Sequence, residues 1–165
     1  MTTREFRRNS LTELPVSFAG RIFRSPMPFQ RGDEAGDLFE QIKQQNISVI
    51  VLLASDRECL ENSRRDLRAY YTSEGIKVIY LPIPDFGVPE PESLDTALAD
   101  TIDYLCAGSN VLVHCLAGIG RTGTYLACLA KRSLGMNGDQ AIGWVREAIP
   151  GALETSEQIR LVHEF

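Results

Sequence analysis

Residues 114–122 read His-Cys-Leu-Ala-Gly-Ile-Gly-Arg-Thr, which sets a thiol, a guanidinium and a hydroxyl around two glycines. Cys115 precedes Arg121 by six positions, between an apolar run over 111–113 and an apolar helical pattern. The chemistry that uses this set is attack of a cysteine on a phosphate dianion held in a cradle. Gly118 and Gly120 let the backbone of Leu116, Ala117, Gly118, Ile119 and Gly120 curl until successive N–H groups point inward. A helix opening near Arg121 adds its N-terminal partial positive charge to the same spot. Arg121 grips two phosphate oxygens with one planar fork, which a lysine does not do in the same way. The same field favours Cys115 as thiolate, the attacking form. The plainer alternative, a glycine-rich turn with an incidental buried cysteine, leaves the joint occurrence of His, Cys, Arg and Thr unexplained.

Cleavage of a phosphate ester also needs a proton for the leaving oxygen. Asp85, in the stretch LPIPDFGVP over residues 81–89, is the candidate donor. Its prolines and glycine suggest stiff arms around a hinge, as in a lid, although an aspartate beside proline is also an ordinary turn residue. Attack by Cys115 gives a cysteinyl-phosphate, and the hydroxyl of Thr122 is placed to help the thiolate leave in the second step. Threonine at a helix start is equally a common cap. Thr155-Ser-Glu-Gln158 reads as a capping box, in which Gln158 reaches back to the Thr155 N–H.

A chain of 165 residues supports one domain over 1–165 with a sizeable core. No run of 18 or more apolar residues occurs, and MTTREFRRNS lacks the apolar stretch of a signal peptide. A cytoplasmic monomer without membrane association is expected. Cysteines 59, 106, 115 and 128 show no metal-ligand spacing, and only His114 and His163 accompany them. No metal and no cofactor is therefore expected; Cys106 and Cys128 read as core. A net charge of −5 argues against nucleic acid as a partner.

Strands and helices alternate along the chain. An entry strand is expected over 16–24, a helix over 33–46 and a buried strand over 48–53. A polar helix over about 58–73 follows, then a strand over 76–82. Pro91 opens a helix with Leu94, Ala97, Leu98, Thr101, Ile102 and Leu105 on one face. After the strand at 111–114 and the cradle comes an apolar helix to Leu134, ended by Gly135. Helices over about 138–149 and 156–165 close the chain. The fold class is α/β, with a central, mostly parallel sheet of four to five strands flanked by helices, and the cradle at the carboxyl end of a strand.

HCLAGIGRTG resembles the HCxxGxxR[ST] signature of the cysteine-dependent protein tyrosine and dual-specificity phosphatases. PDFGVP over residues 84–89 is similar to their acid loop, with Ile83 where the tyrosine-specific enzymes carry tryptophan. The thirty residues from Asp85 to Cys115 also suit that family. The resemblance implies a protein tyrosine phosphatase-like fold and hydrolysis of phosphotyrosine, with phosphoserine and phosphothreonine as further possibilities, on a phosphorylated protein partner. It implies that His114 hydrogen-bonds around the cradle, that Asp56 or Glu58 buttresses Arg121, and that Gln158 positions the hydrolytic water rather than only capping a helix. A reversible disulfide between Cys59 and Cys115 is a lesser implication, against a plain buried role for Cys59. Phe86 touches a phosphotyrosine ring or packs in the core, and Arg57, Arg64, Arg65 and Arg68 attract a phosphorylated segment or form a solvated face. Two other readings stay open: a non-protein phosphomonoester (phosphoinositide, nucleotide or RNA 5′-phosphate) as substrate, or a non-catalytic phosphate-binding module. Leu116, Ala117 and Ile119 supply no lysine for a polyanionic head group, which weighs against the first.

Overall fold

A computed structural model describes residues 9–165; residues 1–8, on which the expectation of no leader partly rests, lie outside them. Five strands form one sheet: β1 (Thr12–Leu14), β2 (Ile22–Ser25), β3 (Ile47–Leu52), β4 (Lys77–Tyr80) and β5 (Asn110–His114). Their spatial order is β1-β2-β5-β3-β4, and only the β1–β2 pair is antiparallel. The mostly parallel α/β sheet expected from the sequence is therefore present.

Each face of the sheet is covered, as continuous apolar strands require. Val49, Val51, Val111, Val113 and Ile22 turn to one side, against α4 (Pro91–Cys106), α5 (Gly120–Leu134), α6 (Gly138–Ala148) and α7 (Ser156–Glu164). Ile50, Leu52, Leu112 and Phe23 turn to the other, against α1 (Asp37–Gln44), α2 (Asp56–Ser63) and α3 (Leu67–Ser73). This is the two-residue alternation of extended chain applied to a three-layer domain. β5 lies mid-sheet with residues Val111–His114 buried, so the cradle that follows is anchored on the central strand.

Several expected boundaries differ. The entry strand shortens to Ile22–Ser25, and a separate edge strand, β1, precedes it. The first helix begins at Asp37; Asp33 instead accepts from the N–H groups of Phe29 and Leu38 and closes the preceding turn. The polar helix is two helices, because Arg64 takes a left-handed conformation (φ 60°) and Asp66 caps a new start by accepting from Ala69 N–H. Cys128 is buried as expected, whereas Cys106 is exposed, since it ends α4 beyond the buried Leu105.

Candidate active site

The backbone of the cradle is aimed by what holds its carbonyls. Four successive carbonyls point outward into fixed donors: Cys115 to His114 Nδ1 (2.9 Å), Leu116 to the Met27 N–H (2.9 Å), Ala117 to Arg24 Nη2 (2.9 Å) and Gly118 to Arg24 Nε (2.9 Å). In a trans peptide the N–H lies opposite its carbonyl, so the following N–H groups turn inward. The Gly118 N–H reaches Cys115 Sγ at 3.3 Å, and Thr122 Oγ1 donates to the same sulfur at 3.2 Å. Gly118 has φ 70°, and a Cβ there would stand 2.2 Å from the Ser25 carbonyl oxygen, so no other residue fits without moving β2. α5 starts at Gly120 with no side-chain cap, leaving its first N–H groups facing the cradle.

Arg24 was not foreseen. It lies on β2 with no exposed surface, and its guanidinium spans the Ala117 and Gly118 carbonyls. Burial pulls its pKa down to about 10 while the neighbouring Cys115 sulfur raises it, so it is charged at neutral pH. An arginine directly after the apolar pair Ile22-Phe23 in an expected strand was the available signal, since a charge is buried only where partners await it.

Arg121 is almost fully buried and makes a two-pronged pair with Glu58, Nη1 to Oε2 and Nη2 to Oε1, each at 3.0 Å. Glu58, not Asp56, is therefore the buttress; Asp56 pairs with Arg68 at the surface. Glu58 is held by its own helix start, where Ser55 and Glu58 form a capping box. Burial pushes the Glu58 carboxyl up, but Arg121 and the Ser55 N–H outweigh it and the net displacement is downward. Burial likewise works against the Arg121 charge, and Glu58, Cys115 and Asp85 together raise its pKa.

Residues 83–85 lie against the same guanidinium. Arg121 Nη1 donates to the Ile83 carbonyl at 2.9 Å, and Nη2 stands 3.2 Å from Asp85 Oδ1. Asp85 keeps a half-exposed side chain, and Phe86 is 56% exposed with φ 60°, so Phe86 is not core. His114 is fully buried, and burial lowers its pKa to about 4. Since its Nδ1 faces a carbonyl, that nitrogen carries the proton and Nε2 accepts from the Tyr71 hydroxyl (2.9 Å). Cys59 is buried, and desolvation with the nearby acids Asp56 and Glu58 pushes its thiol up to about 12.

Gln158 is fully buried, and both polar ends of its side chain are engaged. Oε1 accepts from the Glu154 and Thr155 N–H groups (2.8 and 3.4 Å), the foreseen capping box, while Nε2 donates to the Gly87 carbonyl (3.2 Å). Of the basic residues over 57–68, Arg57 pairs with Glu61 and Arg65 stacks on Phe29, so this face is largely a solvated, self-paired one. Among the described residues no group of three or more His, Cys, Asp or Glu could hold a metal ion, and no helix is long and apolar enough to cross a membrane.

A cysteine in an anion cradle at the carboxyl end of a central parallel strand, with an arginine closing the cradle, defines the cysteine-dependent phosphatase class. Comparison with known proteins agrees. A family model described as "Polymorphic toxin system, DSP-PTPase phosphatase" matches residues 27–133, and the chain belongs to that family. An uncharacterized protein of Methanocaldococcus jannaschii is 42% identical over 93 residues, covering 54% of this chain and 60% of its own. The tyrosine-protein phosphatase cdc-14 of Caenorhabditis elegans is 28% identical over 126 residues, 76% of this chain but 16% of that protein. The chain thus spans 60% of the first of these curated relatives and 16% of the second. Among solved structures, the active form of Tk-PTP superposes with a TM-score of 0.75 at 30% identity, covering 93% of this chain and 95% of that one. A kinase associated phosphatase superposes with a TM-score of 0.84 at 24% identity (94% and 92% covered), a likeness of fold.

Proposed function

We propose that the chain is a protein phosphatase that hydrolyses phosphotyrosine, and more slowly phosphoserine and phosphothreonine, through a cysteinyl-phosphate. The observation carrying this reading is that Asp85 stands 3.2 Å from Arg121, whose own loop surrounds the Cys115 sulfur. Nucleophile, phosphate clamp and proton donor thereby share one cradle. In the first step Cys115 Sγ attacks phosphorus, the ester P–O bond breaks, and protonated Asp85 gives its proton to the leaving oxygen. Arg121 and the inward N–H groups take up charge on the equatorial oxygens. In the second step ionised Asp85 accepts a proton from water as the water oxygen attacks phosphorus. Inorganic phosphate leaves, and the returning thiolate is met by Thr122 and the Gly118 N–H. His114, neutral well below pH 7, holds the loop and moves no proton.

The uncharged side chains of Leu116, Ala117 and Ile119 support a simple monoester, and exposed Phe86 offers an aromatic face beside Asp85. The names of relatives such as cdc-14 point the same way. PTPMT1, crystallised in complex with PI(5)P, shares the fold at 16% identity and a TM-score of 0.70, and a phosphoinositide serves as the competing substrate in the test. Turnover of p-nitrophenyl phosphate, a phosphotyrosine peptide, a phosphoserine peptide and PI(5)P vesicles is to be compared between wild type and Cys115→Ser. Wild type should favour the phosphotyrosine peptide, and Cys115→Ser should lose all turnover. Equal, slow hydrolysis by both would overturn the enzyme reading, and faster release from PI(5)P would overturn the protein substrate.

A further inference from the structure

Residues 152–158 cross from the start of α5 to the acid loop. On the α5 side the fit is close. A Cβ at Gly123 would stand 2.6 Å from Ala152 Cβ, and one at Gly120 would stand 2.1 Å from Glu154 Oε2. Arg146 on α6 fixes the crossing by donating to the Ala152 and Leu153 carbonyls (2.9 and 3.3 Å). On the other side, Thr155 Oγ1 donates to the Phe86 carbonyl at 3.3 Å and Gln158 Nε2 to the Gly87 carbonyl at 3.2 Å.

These bonds are compatible with the helix cap. The Thr155 hydroxyl has one proton, which goes to Phe86, while its oxygen accepts from the Gln158 N–H. The Gln158 amide divides its oxygen and its NH₂ between cap and loop. Asp85 is thus bracketed. The Ile83 carbonyl is held by Arg121 before it, and the Phe86 and Gly87 carbonyls are held by α7 after it. The bracket matters because the loop tip has little burial of its own, with Asp85 and Phe86 more than half exposed.

We propose that Thr155 and Gln158 are positioning residues: the cap of α7 doubles as a latch that keeps Asp85 over Arg121 and the Cys115 cradle. This rests on Asp85 as the proton donor. Bonds between neutral groups are weak enough to open and reform in each turnover, so the latch sets how often Asp85 is in place rather than whether the site exists.

The readout is the dependence on the leaving group. A dinitrophenyl ester departs with little need of a proton, whereas phenol, like tyrosine with its pKa of ~10, needs one. Gln158→Glu keeps the oxygen that caps Glu154 and Thr155 and removes the donor to Gly87. Its loss of kcat/KM should be about tenfold greater for phenyl phosphate than for dinitrophenyl phosphate, within the 10²–10⁴-fold range of general acid catalysis. In an Asp85→Asn background the same substitution should add no further discrimination. Thr155→Ser should behave as wild type. Thr155→Asp, which caps but cannot donate, should repeat the Gln158→Glu result and serves if that variant does not fold. Added negative charge alone would slow both esters equally, and that outcome, or further discrimination on top of Asp85→Asn, overturns the latch. If Asp85→Asn itself treats both esters alike, the acid assignment falls and the latch with it; if Asp85→Asn discriminates and Gln158→Glu does not, only the latch falls.

Discussion

Replacing Arg24 by methionine should separate stability from activity. The fold carries this charge at a cost: displacement of its pKa from 12.5 to about 10 by burial corresponds to ~3 kcal/mol against the ionised form. Methionine fills a similar volume and removes that cost. It also removes the charge-assisted hydrogen bonds to the Ala117 and Gly118 carbonyls, each worth ~1.5–3 kcal/mol, and a longer one (3.3 Å) to the Ser10 carbonyl. The terms oppose each other, as they do when other buried charges are exchanged for apolar groups. The expected stability loss is within ~3 kcal/mol, a shift of no more than ~12 °C in Tm for a chain of this size. Activity has no such compensation. With both carbonyls released, the peptide planes that aim the following N–H groups are free to turn, and losing even one such donor costs ~10²–10³ in kcat. Calorimetry and p-nitrophenyl phosphate kinetics on the same preparation test this, with Arg24→Met expected to fall about a hundredfold while remaining folded. Arg24→Lys should recover only part of the rate, since one ammonium does not present the fork that spans two carbonyls. A folded Arg24→Met within about threefold of wild type would refute the reasoning, because the cradle would then hold its shape without the guanidinium.

Two further outcomes follow from the same site. Glu58→Gln, which leaves Arg121 without its two-pronged partner, should lower kcat/KM about tenfold with an aryl phosphate, whereas Asp56→Asn removes only the surface pair with Arg68 and should change stability by no more than ~0.5 kcal/mol with the rate unchanged. His114 has a folded pKa of about 4 against 6.5 for the free group, so between these values the unfolded chain binds the extra proton and stability rises with pH. Its contribution is complete above ~pH 6.5 and lost as pH falls through about 4, at most ~3 kcal/mol; urea unfolding across that window should show the slope in wild type and lose it in His114→Asn.

What was legible in the sequence was whatever a short stretch of backbone decides for itself. Cys115, Gly118, Arg121 and Thr122 fall within eight consecutive residues, and the chemistry expected of them follows from their types and spacing. Asp85 was reachable because the proposed reaction demands a proton donor. The β-branched run of β3 and the periodic face of α4 gave the layers. What stayed hidden depends on the sheet order. Arg24 precedes Ala117 by 93 positions, and only the pairing of β2 with β5 brings them together. The break at Arg64 was missed because a non-glycine residue carries the left-handed turn there, without the signal that glycine gives.

Among the described residues three helices open with a capping box, and comparing them shows how a local motif becomes part of a site. In Asn137–Gln140 the third-position side chain is exposed and caps its helix alone. Glu58 and Gln158 occupy the same position in their boxes but are withdrawn from solvent, and each has capacity left after capping. Glu58 accepts from Arg121 on both oxygens, one of them shared with the cap, and Gln158 turns its amide protons to Gly87. Capping holds the side chain in one rotamer, so the second bond forms without a further loss of side-chain freedom. α2 thereby steadies the phosphate clamp and α7 the acid loop. A box whose third residue is buried within reach of an active-site loop holds that loop in place; one whose third residue faces water does not. By this criterion Asn137→Ala should cost only the helix cap, ~1 kcal/mol, with no change in the leaving-group dependence that Gln158→Glu is expected to alter.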